Sequence, residues 1–336
     1  MNLSEKIAVI GAGSWGCALS RILGDNGHNV LIYDIDKAAI DEINMYHTNK
    51  SKLFEGELPH NVKGTCDLEE AVSYGDIILL VVPTKVVRGV LNDINKYLNS
   101  KKLFVNASKG IEPDTYKRVS EIVYEEINEE FIEGFVALTG PSHAEEVIKQ
   151  KLTLIAAASN DDAYAYRVQK IFSNNVYFRV YRVNDLIGAE LGGSLKNVYA
   201  LGAGICEGLG FGVNARSALI TRALIEMKKL AVAMGAKEET LDGLTGIGDL
   251  IVTCTSNLSR NYQTGVHLAQ GKDLNSTIDS MPMVVEGART CISAYQMARK
   301  INIDTPIIDA IYNVLYNRQD PKEVIRDLMG RGLKEE

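Results

Sequence analysis

The chain has 336 residues, 46% hydrophobic and 24% charged, an ordinary globular balance with room for about two domains. It carries 36 Lys and Arg against 43 Asp and Glu, and this net charge of −7 disfavours non-specific binding to nucleic acid or an anionic membrane. A local basic pocket for an anionic metabolite remains compatible with it. Cys17, Cys66, Cys206, Cys254 and Cys291 are scattered without a CxxC pair, and histidine is scarce, so neither a disulfide framework nor a metal site is expected. The cysteines read as reduced thiols of a cytoplasmic protein. The opening "MNLSEKIAVIGAG" enters a strand pattern at once, which predicts no signal peptide, and no apolar run reaches membrane-spanning length.

In chain order, "KIAVIGAG" reads as a buried strand ending in glycines, and "SWGCALSRILGDNGH" as a helix stopped at Asn26-Gly27. "NVLIYD" is a second strand. "DIILLVVP" is hydrophobic on both faces, as the interior of a parallel sheet requires. The helix "TKVVRGVLNDINKYL" follows, then "KLFVNASKG" as strand and loop. "FVALTGPSHAEEV" repeats strand, loop and helix, and "LTLIAAAS" and "VYFRVYR" supply two more strands around a helix. This alternation predicts a doubly wound, mostly parallel α/β sheet of Rossmann type. From about Val183 the strand pattern stops, and "ARSALITRALIEMKKLAVAM", "NYQTGVHLAQG", "ARTCISAYQMARKI", "PIIDAIYNVLY" and "PKEVIRDLMG" are all helical. The expected organisation is an α/β domain over 1–186 and an all-α domain over 187–336. The acidic run "EEINEEF" reads as a solvated helix face.

"IGAGSWG" places Gly11, Gly13 and Gly16 as G-x-G-x-x-G between a strand and a helix. The first glycine permits the tight turn, the second lets a pyrophosphate approach the backbone, and the third lets helix and strand pack closely. The helix N-terminus then offers free N–H groups and its positive dipole end to the diphosphate. Asp34 ends the second strand where the fingerprint expects an acid. A carboxylate there accepts from a ribose 2′-hydroxyl and repels a 2′-phosphate, so NAD(H) is favoured over NADP(H).

The segment "IGAELGGSLKNVYALGAGIC" holds a single cation, Lys196. Read as a helix, it places Gly192, Gly193, Ala200 and Ala203 beside that lysine and Leu191, Leu195 and Val198 on another face. A strip of such small side chains lets another backbone or a bound molecule come close, and the expectation here is room for nicotinamide and substrate beside the ammonium.

The remaining motifs resemble the bacterial-type NAD(P)-dependent sn-glycerol-3-phosphate dehydrogenases: "GAGSWG", "VVPT", "NASKGIE", "TGPSHAEE", "GGSLKNVYALGAGICEGLGFGVNARSALITRALIEM", "GLTGIGDLIVTCTSNLSRNYQTG" and "VVEG", in order over nearly the whole chain. The resemblance implies reversible reduction of dihydroxyacetone phosphate to sn-glycerol 3-phosphate, the precursor of glycerophospholipids, by a protein that is usually a homodimer. It puts the catalytic lysine at Lys196 and other substrate contacts at Lys109, Gly140, Ser142, Asp249, Ser259, Arg260 and Asn261. Cofactor contacts fall on Ser14, Trp15, Lys109, Ala144, Arg260, Val284 and Glu286. The family often carries Arg or His after the second strand, where this chain has Asp34-Ile35-Asp36, which strengthens the lean to NADH.

Hydride delivered to a ketone leaves an alkoxide, which an ammonium both stabilises and protonates. Desolvation among small residues lowers a lysine pKa and a nearby carboxylate raises it. Asp249 is the candidate for orienting Lys196 and bonding the substrate hydroxyl. Arg260, with Ser259 and Asn261, is the candidate phosphate clamp, because a planar guanidinium suits two phosphate oxygens. Cys254 lies near Asp249 but has no histidine close in sequence and reads as a core thiol. Three rivals stay open: a dinucleotide sensor without turnover, an enzyme using Lys196 as a Schiff-base nucleophile, and a dehydrogenase of another small acid.

Overall fold

A computed structural model describes residues 4–53, 55–272, 285–333 and 335. Eight strands form one sheet: β1 (Lys6–Ile10), β2 (Asn29–Tyr33), β3 (Val62–Thr65), β4 (Ile77–Leu80), β5 (Lys102–Asn106), β6 (Ile132–Thr139), β7 (Thr153–Ala158) and β8 (Phe178–Val183). Their order is β3-β2-β1-β4-β5-β6-β7-β8. Every ladder is parallel except that between β6 and β7. The link from β6 to β7 holds only the one-turn helix α6 (Ala144–Val147), and the chain doubles back across it. After β1 the chain runs outward through β2 and β3, then returns to lay β4 on the other side of β1. That reversal opens a crevice at the carboxyl ends of β1 and β4, where such sheets bind ligands.

Alternation along the strands divides the apolar residues between two layers. Ile7, Val9, Leu79 and Val105 pack against α1 (Ser14–Asp25) and α7 (Asp162–Phe172). Ala8, Ile10, Ile78, Leu80 and Phe104 pack on the other face against α3 (Leu68–Tyr74), α4 (Thr84–Tyr97) and α5 (Val119–Glu126). All four residues of β4 are buried, as its uniformly apolar sequence predicts. The sequence pattern does not mark α2 (Lys37–Tyr46), β3 or α3, because β3 is only "VKGT" and lacks an apolar run. The acidic run is not one helix face. Helix α5 ends at Glu126, a single 3-10 turn covers Glu129–Phe131, and Glu125 and Glu126 pair with Arg88.

After β8 the described residues form helices: α8 (Leu186–Gly208), α9 (Gly212–Ala233), α10 (Asp249–Thr255), α11 (Arg260–Ala269), α12 (Glu286–Lys300), α13 (Pro306–Tyr316) and α14 (Pro321–Met329). Helix α8 is buried around its whole circumference over most of its length, because the other helices pack about it. Leu195, Val198 and Tyr199 meet Met227, Leu230, Ile308 and Ile311 in this second core. No helix among the described residues is long and apolar enough to cross a membrane.

Candidate active site

The three glycines of the turn after β1 have separate physical duties. Gly11 has φ +115°, a conformation that side chains rarely adopt. A Cβ on Gly16 would lie 1.9 Å from the Gly11 carbonyl oxygen, so α1 seats on the turn only without one. Among the described residues Gly13 has nothing within 4 Å of its would-be Cβ. It is the N-cap of α1, makes no side-chain cap, and no acid stands in the first turn. The start of α1, which lines the cavity through Gly13, Ser14 and Trp15, thus has neither a side-chain cap nor an acid of its own, which suits an anion. Asp34 is held at the same turn: Oδ2 accepts from the Ala12 N–H at 2.7 Å and Oδ1 from Asp36 N–H at 3.0 Å. The sequence reading anticipates the location of this carboxylate but not that it braces the glycine turn.

A cavity of about 390 Å³ runs from this turn to α8 and α11, lined among others by Gly13, Trp15, Lys109, Lys196, Arg260 and Glu286. Lys196 is 5% exposed. Its Nζ donates to Asp249 Oδ1 at 2.5 Å and to Thr253 Oγ1 at 2.9 Å. Lys109 donates to the other Asp249 oxygen at 3.0 Å and to the Gly140 carbonyl at 3.2 Å. One fully buried carboxylate thus carries two ammoniums. Burial pulls the Lys196 pKa down to about 8; Asp249 pushes it back up, and Lys109 lowers it further.

Local structure explains how these side chains arrive. Asn106 Oδ1 accepts from Ser108 N–H at 3.0 Å just beyond β5, bending the chain so that Lys109 enters the crevice. Leu244–Gly248 form one wide π-turn leading into α10, which delivers Asp249 to its first position. Thr253 donates to the Asp249 carbonyl at 2.6 Å one turn on, so its hydroxyl lone pair is left facing Lys196. Thr253 was not singled out from sequence, nor was Asn197, which lines the cavity and accepts from Asn261 Nδ2 at 3.0 Å. Only their positions four residues after Asp249 and one after Lys196 could have marked them.

The strip of small residues beside Lys196 is occupied by protein. A Cβ on Gly192 would lie 2.4 Å from the Thr245 carbonyl oxygen, and one on Gly193 would lie 2.5 Å from Thr139 Oγ1. Ala200 and Ala203 are fully buried in the helical core. The expectation of room for nicotinamide along this strip is therefore corrected: its glycines admit the π-turn and the end of β6. They bring Asp249 up to Lys196, and only one side of the ammonium meets the cavity.

Ser259 caps α11 by accepting from Tyr262 N–H at 3.3 Å, while Arg260 lines the cavity and its guanidinium has no hydrogen bond or ion pair among the described residues. Burial lowers its pKa, with Glu145 opposing, and a guanidinium remains a cation. Asn261 lines the cavity, but its amide is already engaged, with Oδ1 accepting from Gly287 N–H at 2.9 Å. Ser142 and Ala144 line the cavity, whereas Gly140 and Asp249 stand behind it. Glu286 lies on it and accepts from Thr84 N–H at 3.1 Å, tying the start of α12 to the start of α4. Val284 lies outside the described residues. Two buried polar atoms of cavity residues, Trp15 Nε1 and His143 Nε2, have no partner among the described residues, as expected where a ligand completes the site. Burial and Lys196 both lower the pKa of His143. Cys254 is a core thiol, 1% exposed and pushed up to about 12 by burial.

A doubly wound sheet with a glycine turn and an uncapped helix, joined to a helical half that presents a buried lysine, is the architecture of an NAD(P)-dependent dehydrogenase. Residues 6–165 match the family described as NAD-dependent glycerol-3-phosphate dehydrogenase N-terminus, and residues 185–326 match the corresponding C-terminus. The chain belongs to this family and is an oxidoreductase. The glycerol-3-phosphate dehydrogenase [NAD(P)+] of Enterococcus faecalis is 47% identical over 99% of this chain and 98% of its own length. That of Geobacillus kaustophilus is 50% identical over 99% of this chain and 96% of its own. The crystal structure of glycerol-3-phosphate dehydrogenase from Coxiella burnetii superposes with a TM-score of 0.93 at 33% identity, covering 98% of this chain and 99% of that one.

Proposed function

We propose that the protein transfers hydride reversibly between NAD(P)H and dihydroxyacetone phosphate, giving sn-glycerol 3-phosphate, with Lys196 as general acid in reduction and general base in oxidation. The observation that carries this reading is the Lys196 ammonium, buried against Asp249 with its pKa drawn to about 8, on the wall of the cavity that begins at the glycine turn. The nicotinamide supplies the hydride when bound. Lys196 holds the proton that the new alkoxide takes, and a pKa nearer neutrality makes it competent in both directions. Asp249 acts as a positioning residue, since its two oxygens hold Lys196 and Lys109 and it does not reach the cavity wall. Lys109 and Arg260, with the first N–H groups of α11, form a cationic wall suited to a phosphate.

Asp34 at the glycine turn supports NAD(H) over NADP(H), because its fixed carboxylate opposes a 2′-phosphate. The sheet half through residue 186 takes the dinucleotide and the helical half from 187 takes the substrate. The same reading makes the protein a cytoplasmic homodimer, its five free thiols suiting a reducing compartment, that supplies the backbone for glycerophospholipid synthesis.

The test is oxidation of NADH, and separately NADPH, by the purified protein with dihydroxyacetone phosphate. Rapid loss of absorbance with NADH and little with NADPH is expected. Equal rates would remove the Asp34 argument, and tight cofactor binding without turnover would favour a sensor over an enzyme.

A further inference from the structure

We propose that Lys52 is a cofactor-binding residue that sets a cation against the diphosphate of the dinucleotide, an inference that rests on reading the cavity as a nicotinamide dinucleotide site. Lys52 lies in the segment between α2 and β3, where neither strand nor helix patterning draws attention to it. Two bonds lock that segment onto the glycine turn. Asn49 Nδ2 donates to the Ala12 carbonyl at 2.8 Å, and Ser14 Oγ donates to the Lys52 carbonyl at 2.8 Å. The segment is also braced within itself. Leu53 N–H donates to the Asn49 carbonyl at 2.8 Å, and Lys50 N–H to Glu42 Oε1 at 2.9 Å. Asn49 and Leu53 are buried, so the backbone at Lys52 is held over the first turn of α1.

From that position half-buried Lys52 lines the cavity beside Gly13, Ser14 and Trp15. Its ammonium has no hydrogen bond or ion pair among the described residues, whereas the ammoniums of Lys109 and Lys196 share Asp249. A cation that has given up part of its hydration gains most from an anion brought to it. The residue that carries it is anchored at the first turn of α1, whose uncapped end carries about half a positive charge. A diphosphate carries two negative charges, more than the helix end alone offsets. Asp34, the anion for the adenosine ribose, braces the turn at the Ala12 N–H and does not line this cavity. The residue proposed for the diphosphate is thus anchored at Ser14 and the one for the ribose at Ala12.

The experiment titrates NADH, NADPH and ADP-ribose into the wild-type protein, Lys52→Met and Lys52→Arg by calorimetry, at two salt concentrations. Lys52→Met is expected to bind all three about tenfold more weakly, the worth of one charge-assisted bond, and to lose part of the salt dependence. Lys52→Arg is expected to stay within about threefold, because it keeps the charge. The thermal midpoint without cofactor and the KM for dihydroxyacetone phosphate are expected to stay as in wild type. Lys52→Met binding within twofold of wild type would overturn the inference. So would a loss confined to NADPH, which would assign Lys52 to the 2′-phosphate, or one confined to the KM of dihydroxyacetone phosphate. Wild-type protein that binds none of the three ligands would overturn the dinucleotide reading itself, an outcome distinct from failure of the Lys52 assignment alone.

Discussion

At the glycine turn the cavity is walled by the end of α1 and a Gly13 with no neighbour, whereas at the α8 end it is walled by side-chain cations gathered around a buried carboxylate. The first end meets its ligand mainly with backbone groups, which keep their charge distribution at every pH. The second meets it with two lysines held on one shared aspartate, and burial draws the Lys196 pKa down to about 8. Binding is therefore expected to be insensitive to pH where chemistry is sensitive to it, and substitutions at the two ends should separate affinity from turnover.

The largest separation is expected at Lys196. Lys196→Ala should cost about 10³-fold or more in turnover, through loss of both the proton and the positive charge, with NADH affinity unchanged. Single-turnover kinetics alongside an NADH titration would check both halves. Asp249→Asn should cost about 10²-fold. It should also move the pH dependence of reduction to lower pH, because the anion that holds up the Lys196 pKa is gone while Lys109 remains. A pH profile of the variant beside wild type measures that displacement.

Two glycines sharpen the comparison within the turn itself. Gly16→Ala drives a Cβ into the Gly11 carbonyl and should lower stability by about 3 kcal/mol, read in denaturant melts. Gly13→Ala meets no protein atom, so its stability should match wild type while NADH binds about tenfold more weakly. Equal stability losses at both positions would contradict the assignment of separate duties. The smallest effect is expected at Asp34. Asp34→Ala should shift the preference for NADH over NADPH by about threefold to tenfold toward NADPH, measured as a ratio of kcat/KM values. Part of the NADH loss there will reflect the freed Ala12 N–H.

The same contrast explains what could be read from the amino acids alone. The glycine turn is local: strand, turn, helix and Asp34 fall within a few dozen residues, so spacing identifies it. The doubly wound order and the change to helices after β8 follow from alternation that is also local. The lysine centre is assembled from β5, α8 and α10, and nothing in the spacing of Lys109, Lys196 and Asp249 says that one carboxylate will hold both ammoniums. The segment itself singles out Lys196, whereas its role and the positions of Lys109 and Asp249 rest on resemblance; the Thr253 hydroxyl and the Asn197 amide carry no sequence signal because each depends on the packing of two helices. The glycines around Lys196 were visible, but not their use. Glycine removes bulk, and only the tertiary structure tells whether ligand or protein fills the space; at Gly192 it is the Thr245 carbonyl. Lys52 stayed hidden because it sits in a link without periodic patterning.

The most direct test of the account is the pH dependence of kcat/KM measured in both directions between about pH 6 and 10, since kcat/KM reports ionisations of the free enzyme. Reduction of dihydroxyacetone phosphate uses the Lys196 ammonium and should fall as pH rises through about 8. Oxidation of sn-glycerol 3-phosphate uses the neutral amine and should rise through the same value. Profiles that stay flat through this window in both directions would contradict Lys196 as the group that holds and delivers the proton.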